Sequence, residues 1–264
     1  MPPDQANKLL AHDPGARDMG AAQLPLPLRP AGAGDFDSFI GDGNAEVLAA
    51  LRHWASDRAA GNILLHGGAG SGKSHLLYAA CRAAREHGGV VAFVALDMGG
   101  LHPAVLDGLD TREAVIIDAV QAIAGDPAWE LALFNLYNAL QESRGRLLLA
   151  ARAPATGLGL GLPDLASRLS ACATYAVRAL DDAGRARLLR GAAAARGMRL
   201  DDATLAYILK YSQRDTAALL ALLDALDQRS LACARAPNRR LVKELLASPD
   251  DGGQASHDLG RAPV

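Results

Sequence analysis

Short apolar runs alternate with longer amphipathic segments through the middle of the 264-residue chain. Five runs are apolar on both faces, which is typical of parallel strands buried between two layers of helices. They cover residues 62–65, 90–95, 114–118, 146–150 and 174–177. Helical patterns at 44–60, 74–87 and 129–143 precede or separate them. The alternation predicts a doubly wound α/β domain with a parallel five-stranded sheet.

Beyond residue 180 the strand pattern ends and helical patterns follow one another. They cover residues 181–195, 201–211, 214–234 and 239–247, and they predict a small all-helical lid domain. The expected organisation along the chain is a flexible leader over 1–34, the α/β domain over 35–179, the lid over 180–247 and a disordered tail over 248–264.

A phosphate-binding loop occupies residues 67–74, which read Gly-Gly-Ala-Gly-Ser-Gly-Lys-Ser between a predicted strand and a predicted helix. In this motif the loop backbone and the start of the helix surround phosphates, the lysine reaches the β- and γ-phosphates, and the last hydroxyl ligates Mg²⁺. The residues expected to bind ADP or ATP are Gly67, Gly68, Ala69, Gly70, Ser71, Gly72, Lys73 and Ser74. A chance glycine-rich turn is the alternative interpretation.

A second nucleotide motif ends the third predicted strand, where Asp118 follows four apolar residues. An Asp at this position holds Mg²⁺ beside the phosphates in P-loop enzymes, although an ordinary strand-end Asp would look the same. Many ATPases place a further acid directly after it, whereas this chain has Ala119. Loss of general-base assistance costs about 10²- to 10⁴-fold in rate. The sequence therefore predicts nucleotide binding with inefficient hydrolysis.

Composition, charge and cysteine spacing limit the class of protein and its expected compartment. Half of the residues are hydrophobic and the net charge is −2, so the chain can build a core and has no basic excess for coating nucleic acid. Cys81, Cys172 and Cys233 lie far apart and lack metal-ligand spacing, which favours a reducing cytoplasm. No signal peptide and no run long enough to span a membrane is expected.

Several segments together resemble the DnaA replication-initiator family of the AAA+ class. They are residues 36–44, 72–79, 117–118 with 123–125, 134–138 and, most specifically, Gly-Leu-Pro-Asp-Leu-Ala-Ser-Arg-Leu at 161–169. The resemblance spans about residues 23–247, and it implies an AAA+ nucleotide-binding domain with a helical lid. The chain ends where the initiator's origin-reading domain would begin, so the expectation is a regulator rather than the initiator.

The chain departs from the family at groups that sense the nucleotide. Residues 150–152 read Ala-Ala-Arg where the family has polar γ-phosphate sensors, and Ala217 stands where the lid normally supplies an arginine. Arg214, one turn earlier, is a candidate substitute. The resemblance therefore implies that ADP is held as a structural ligand.

Arg168 lies in the most family-specific segment. The resemblance implies that it projects across a subunit interface as an arginine finger toward a partner's ATP. Such a cation on the γ-phosphate charge is worth about 10³- to 10⁵-fold in rate. From spacing alone, a surface arginine that caps a helix or pairs with Asp164 is the alternative.

The leader contains Gln23-Leu24-Pro25-Leu26-Pro27-Leu28, which looks like the peptide that docks bacterial proteins on the DNA polymerase III sliding clamp. Leu26 and Leu28 would fill apolar pockets and the Gln23 amide would bond to backbone, while the prolines lower the ordering cost. Leu24 belongs to the same expected clamp-binding set. A Pro/Leu linker is the alternative.

These patterns support one hypothesis, a regulator that docks on the clamp and stimulates ATP hydrolysis by the DnaA initiator. Its expected location is cytoplasmic, on the nucleoid through the clamp, with no membrane contact and with homo-oligomers left open. The rivals are an autonomous AAA+ ATPase of helicase-loader type and a clamp adaptor that uses no nucleotide.

Overall fold

A parallel sheet forms the centre of the computed structural model, which describes residues 34–212, 215–233 and 235–247. Its strands are β1 (Ile63–His66), β2 (Val91–Ala95), β3 (Ala114–Asp118), β4 (Arg146–Ala151) and β5 (Ala173–Ala176). They lie in the order β2-β3-β4-β1-β5, and every neighbouring pair is parallel. The predicted five-stranded parallel sheet is thus confirmed, and its carboxyl ends meet along one edge.

Strand β5 differs from its prediction, which was a strand over residues 174–177 buried on both faces. It begins one residue earlier, and Ala173, Thr174 and Ala176 are exposed. The reason is its place in the sheet, since β5 pairs only with β1 and forms an edge. In contrast, all residues of β3 and β4 are buried.

Eight α-helices surround or follow the sheet in the described residues. They are α1 (Ala45–Ser56), α2 (Lys73–Glu86), α3 (Pro127–Glu142), α4 (Pro163–Ser170), α5 (Asp182–Ala195), α6 (Asp202–Tyr211), α7 (Thr216–Ala232) and α8 (Arg239–Ala247). Short 3-10 helices lie at Pro103–Leu106, Leu109–Thr111, Val120–Ala122 and Ala155–Gly157. Helix α4 was not predicted, because eight residues opening on a proline give too little periodicity to recognise.

Each face of the sheet has its own hydrophobic core. On one face α1 and α2 bury Leu51, Trp54, Leu76 and Leu77. On the other, α3 and α4 bury Leu133, Leu140, Leu165 and Leu169. The two cores hold helices α1 to α4 against the sheet, and so they fix the position of the helices that begin near the carboxyl ends of the strands.

The lid, α5 to α8, has a third core of its own. Its buried members include Leu189, Ile208, Leu223 and Val242, and all of them come from residues 189–242. Asp181, Asp201 and Asp215 cap α5, α6 and α7 by accepting a hydrogen bond from a first-turn N–H. The helical lid that the sequence predicts is thus confirmed.

No helix within the described ranges has both the length and the apolar character needed to cross a bilayer.

The three cysteines differ in accessibility, and this predicts their reactivity. Burial raises the pKa of the Cys172 thiol to about 11, outweighing a hydrogen bond with Tyr137 that lowers it. Burial also raises the pKa of Cys81, whereas Cys233 is exposed. At pH 8 a thiol reagent is therefore expected to label Cys233 rapidly and the other two only on unfolding, because the thiolate is the reacting form.

Mass spectrometry of peptides after timed labelling checks this expectation. Modification of Cys172 as fast as Cys233 would contradict the burial of α4 against the sheet.

Candidate functional site

The phosphate loop, residues 67–74, joins the carboxyl end of β1 to the start of α2. Its glycines are required by close contacts. A Cβ on Gly67 would lie 2.5 Å from the Val177 carbonyl oxygen, and one on Gly72, at φ +94°, would lie 2.7 Å from the Phe39 ring. The glycine at each position therefore lets the backbone approach its neighbours more closely than any side chain would allow.

Lys73 begins α2 and turns its ammonium back over the loop. Nζ donates to the carbonyl oxygens of Gly67 at 2.7 Å and Gly68 at 2.8 Å, and to Ser71 Oγ at 3.3 Å. Burial lowers the pKa of Lys73, and Arg152 lowers it further, while Asp118 and Asp215 oppose the change. The Lys73 ammonium therefore interacts electrostatically with charged side chains that end β3, follow β4 and precede α7.

An anion fits this place for two reasons. The first-turn N–H groups of α2 have no partner within the helix, and the helix dipole favours negative charge there. Ser74 lies in the same turn and is half-buried, and its hydroxyl is the kind of oxygen that ligates Mg²⁺. The loop residues named from the sequence are therefore brought together around one point.

Asp118 ends β3 and is largely buried. Its Oδ1 accepts a hydrogen bond from the N–H of Ala119 at 2.8 Å. The Ser74 hydroxyl and the Asp118 carboxylate are the hard oxygen ligands that Mg²⁺ takes together with phosphate oxygens and water. Across the described ranges, no group of three or more His, Cys, Asp or Glu side chains could hold a metal by itself.

Ala119 adopts a left-handed backbone with φ 59° and is buried. Non-glycine residues in this region carry strain and concentrate at functional sites. The methyl side chain provides no proton acceptor at the position where many ATPases have an acid. An alanine in the sequence carries no sign of this backbone conformation.

The carboxyl end of β4 lies beside that of β1. Ala150 and Ala151 are buried there and offer no polar group to a γ-phosphate. Arg152 is exposed, and its N–H donates to Oε1 of Gln121 at 3.1 Å. The positive charge of Arg152 is one of the causes that lower the pKa of Lys73, so it acts electrostatically on the phosphate loop.

The start of α7 contacts the phosphate loop directly. The sequence patterns did not predict this contact. Thr216 Oγ1 donates to the Gly70 carbonyl oxygen at 2.8 Å. A Cβ on Gly70 would lie 3.0 Å from the Thr216 nitrogen and 3.1 Å from the Asp215 Cα. The N–H of Ala217 donates to Asp215 Oδ1, so Ala217 lies in the first turn of α7. Arg214 lies outside the described residues.

This contact predicts a role for the Thr216 hydroxyl in retaining nucleotide. Thr216→Val removes one hydrogen bond between lid and loop, worth about 0.5–1.5 kcal/mol, so nucleotide release should quicken about 3- to 10-fold. Stopped-flow chase of a fluorescent ADP measures the rate. Thr111→Val is the matched control, because Thr111 Oγ1 also donates to a glycine carbonyl, that of Gly108, in a 3-10 helix before β3. Equal effects of the two variants would contradict the role.

Arg168 lies on α4 and is exposed. Its guanidinium carbon is 5.8 Å from the centroid of the Tyr137 ring on α3. The ion pairs formed by the described residues do not include one between Arg168 and Asp164, which weakens the alternative of a surface pair. The guanidinium of Arg168 therefore has the Tyr137 ring on one side and is otherwise exposed to solvent.

The peptide with Gln23, Leu24, Leu26 and Leu28 lies outside the described residues, so its docking role stays a prediction.

Comparison with solved structures finds the same fold in DnaA and in RuvB. Domain III of the replication initiation protein DnaA from Thermotoga maritima matches with a TM-score of 0.71 and 19% identity, over 84% of this chain and 98% of that one. DnaA from Aquifex aeolicus, solved with AMPPCP bound, matches with a TM-score of 0.64 and 19% identity, over 76% and 67%. A point mutant of RuvB from Thermotoga maritima matches at 0.63 and 19% identity, over 82% and 71%.

The lid gives a more specific match. Residues 182–246, which run from the first residue of α5 almost to the end of α8, match the family model described as "Hda, lid domain". This segment includes the start of α7 that contacts Gly70. The chain therefore has the fold of DnaA domain III, and its residues 182–246 match an Hda lid domain.

Proposed function

We propose that this chain is an Hda-like negative regulator of DNA replication initiation, which stimulates ATP hydrolysis by DnaA. The observation that carries the proposal is the Hda lid domain seated on an intact phosphate loop, through Thr216 and Gly70. A family-specific lid in contact with the loop supports a nucleotide-dependent function related to DnaA.

The chain's own nucleotide is a structural ligand in this proposal. ADP or ATP would be held by the loop residues 67–74, with Mg²⁺ between Ser74 and Asp118, and Arg214 remains a candidate contact. Ala119, Ala150 and Ala217 each place a methyl group where hydrolysis would need a polar or charged one. The site therefore binds nucleotide and turns it over poorly, and ADP is the expected occupant.

Arg168 acts on the partner. An exposed guanidinium on a short, well-packed helix can reach across an interface, and in trans it stabilises the charge that develops on the partner's γ-phosphate. The chain needs no general base of its own for this role. A poor ATPase is thus compatible with an effective activator.

The leader peptide supplies the location. Gln23, Leu24, Leu26 and Leu28 would dock on the sliding clamp that is loaded on DNA, so the regulator would be cytoplasmic and associated with the nucleoid through the clamp. The clamp raises the local concentration of the regulator near DNA-bound DnaA, so that a weak contact with DnaA becomes sufficient.

A reconstituted assay tests the proposal. ATP-loaded DnaA is incubated with clamp loaded on DNA, with and without the purified chain, and the nucleotide on DnaA is identified over time. Faster conversion of ATP to ADP that requires both chain and clamp is expected. Conversion at the same rate without the chain would reject the function, and rapid hydrolysis by the chain alone would favour the autonomous ATPase.

A further inference from the structure

Glu130 is a buried acid with an unusual set of partners. It lies in the first turn of α3 and is 1% exposed. Its Oε1 accepts hydrogen bonds from the N–H groups of Gly125 at 2.7 Å and Gly161 at 3.0 Å, and its Oε2 accepts one from Leu162 at 2.6 Å. One carboxylate therefore holds backbone from two separate segments.

The carboxylate is held in its charged form. Burial alone would raise the pKa of Glu130, and the charge of Asp126 acts in the same direction, but the hydrogen bonds from Gly161, Gly125 and Leu162 outweigh both and lower it. A buried acid left without such donors would be costly, and the bonds to a charged acceptor are among the strong ones. The three backbone groups are thus held tightly to α3.

The held segment is the one that begins the helix of Arg168. Leu162 is the N-cap of α4 and its side chain makes no capping hydrogen bond. The Glu130 carboxylate supplies acceptors at this helix start from outside the helix. Two helical turns further along α3, about 10 Å, the ring of Tyr137 contacts the guanidinium of Arg168. Helix α3 therefore fixes both the start of α4 and its functional arginine.

We propose that Glu130 is a positioning residue for Arg168, which sets the orientation of α4 by binding the backbone of Gly161 and Leu162. The inference rests on the proposed function, since it assigns how the arginine is aimed at a partner's phosphate. Misplacement of a catalytic group by about 1 Å can cost 10²-fold in rate. A change at Glu130 should therefore act on the rate of partner hydrolysis rather than on assembly.

A double-mutant cycle tests the proposal with the full chain, DnaA, clamp and DNA. Glu130→Gln replaces one oxygen with an NH₂ group that cannot accept a hydrogen bond, and is expected to lower the maximal stimulated rate about 10-fold. The concentration of chain at half-maximal stimulation should stay unchanged. In an Arg168→Ala background, Glu130→Gln should cause no further loss, because its effect passes through Arg168.

For each variant, circular dichroism checks that the chain is folded, and binding of fluorescent ADP checks that it still binds nucleotide. Should Glu130→Gln fail to fold, Glu130→Asp takes its place, since it keeps the charge but is too short to reach all three N–H groups. If Arg168→Ala leaves stimulation intact, the proposed function fails. If Arg168→Ala abolishes stimulation but the Glu130 variant retains it, or if the two losses add, the positioning role is overturned.

Discussion

Replacing Arg168 with alanine is expected to lower the stimulation of ATP hydrolysis in DnaA by about 10³-fold or more, the scale of an arginine finger. The side chain is exposed on α4 and packs on the Tyr137 ring, so truncation leaves the cores on both faces of the sheet intact. Single-turnover hydrolysis on ATP-loaded DnaA, with clamp and DNA present, gives the rate.

Two further substitutions make the result specific. Arg168→Lys keeps a charge but loses the planar fork of donors, so it should recover only part of the rate. Arg112→Ala removes another exposed arginine, which precedes β3 at the amino ends of the strands, far along the chain from the site. Stimulation by Arg168→Ala equal to that by Arg112→Ala would show that no finger is supplied from this position.

The second large effect is expected at Lys73. Lys73→Ala removes both the cation for the phosphates and the donor that binds the Gly67 and Gly68 carbonyl oxygens. Bonds to charged groups contribute about 1.5–3 kcal/mol each, so nucleotide affinity should fall about 100-fold or more. Titration calorimetry with ADP measures the affinity, and chromatography after heat denaturation identifies nucleotide carried by the purified chain.

Lys243→Ala, an exposed lysine of α8, is the matched control. It should leave both affinity and carried nucleotide unchanged. A wild-type chain without nucleotide, together with a Lys73→Ala variant that stimulates DnaA normally, would favour the nucleotide-independent adaptor instead.

The sheet was predictable because its inner strands are buried on both faces. Strands β1, β3 and β4 lie between α-helical layers, so nearly all of their positions must be apolar and the run stands out in the sequence. β5 is an edge, where burial imposes no such demand. The eight residues of α4 are too few for periodicity to reveal, although they carry Arg168.

The site was predictable only where it is local in sequence. The phosphate loop is one continuous motif, and Asp118 follows its strand directly. The contact between the lid and the phosphate loop could not be predicted in this way, because Thr216 and Gly70 are far apart in sequence and meet only in the folded structure. Glu130 was missed for the same reason, since its partners Gly161 and Leu162 come from a distant segment, and a lone Glu in a helix resembles any solvent-facing acid.

The separate core of the lid makes this part of the molecule exchangeable. Because the buried residues of α5 to α8 pack on one another, a graft of the whole four-helix unit from a protein of the same fold would leave the interiors on both sides of the sheet untouched. The graft would need to reproduce a hydroxyl facing Gly70 and a basic group for Asp42, which pairs with Arg187 of α5. Chimeras of this kind could separate what the lid specifies from what the sheet domain specifies.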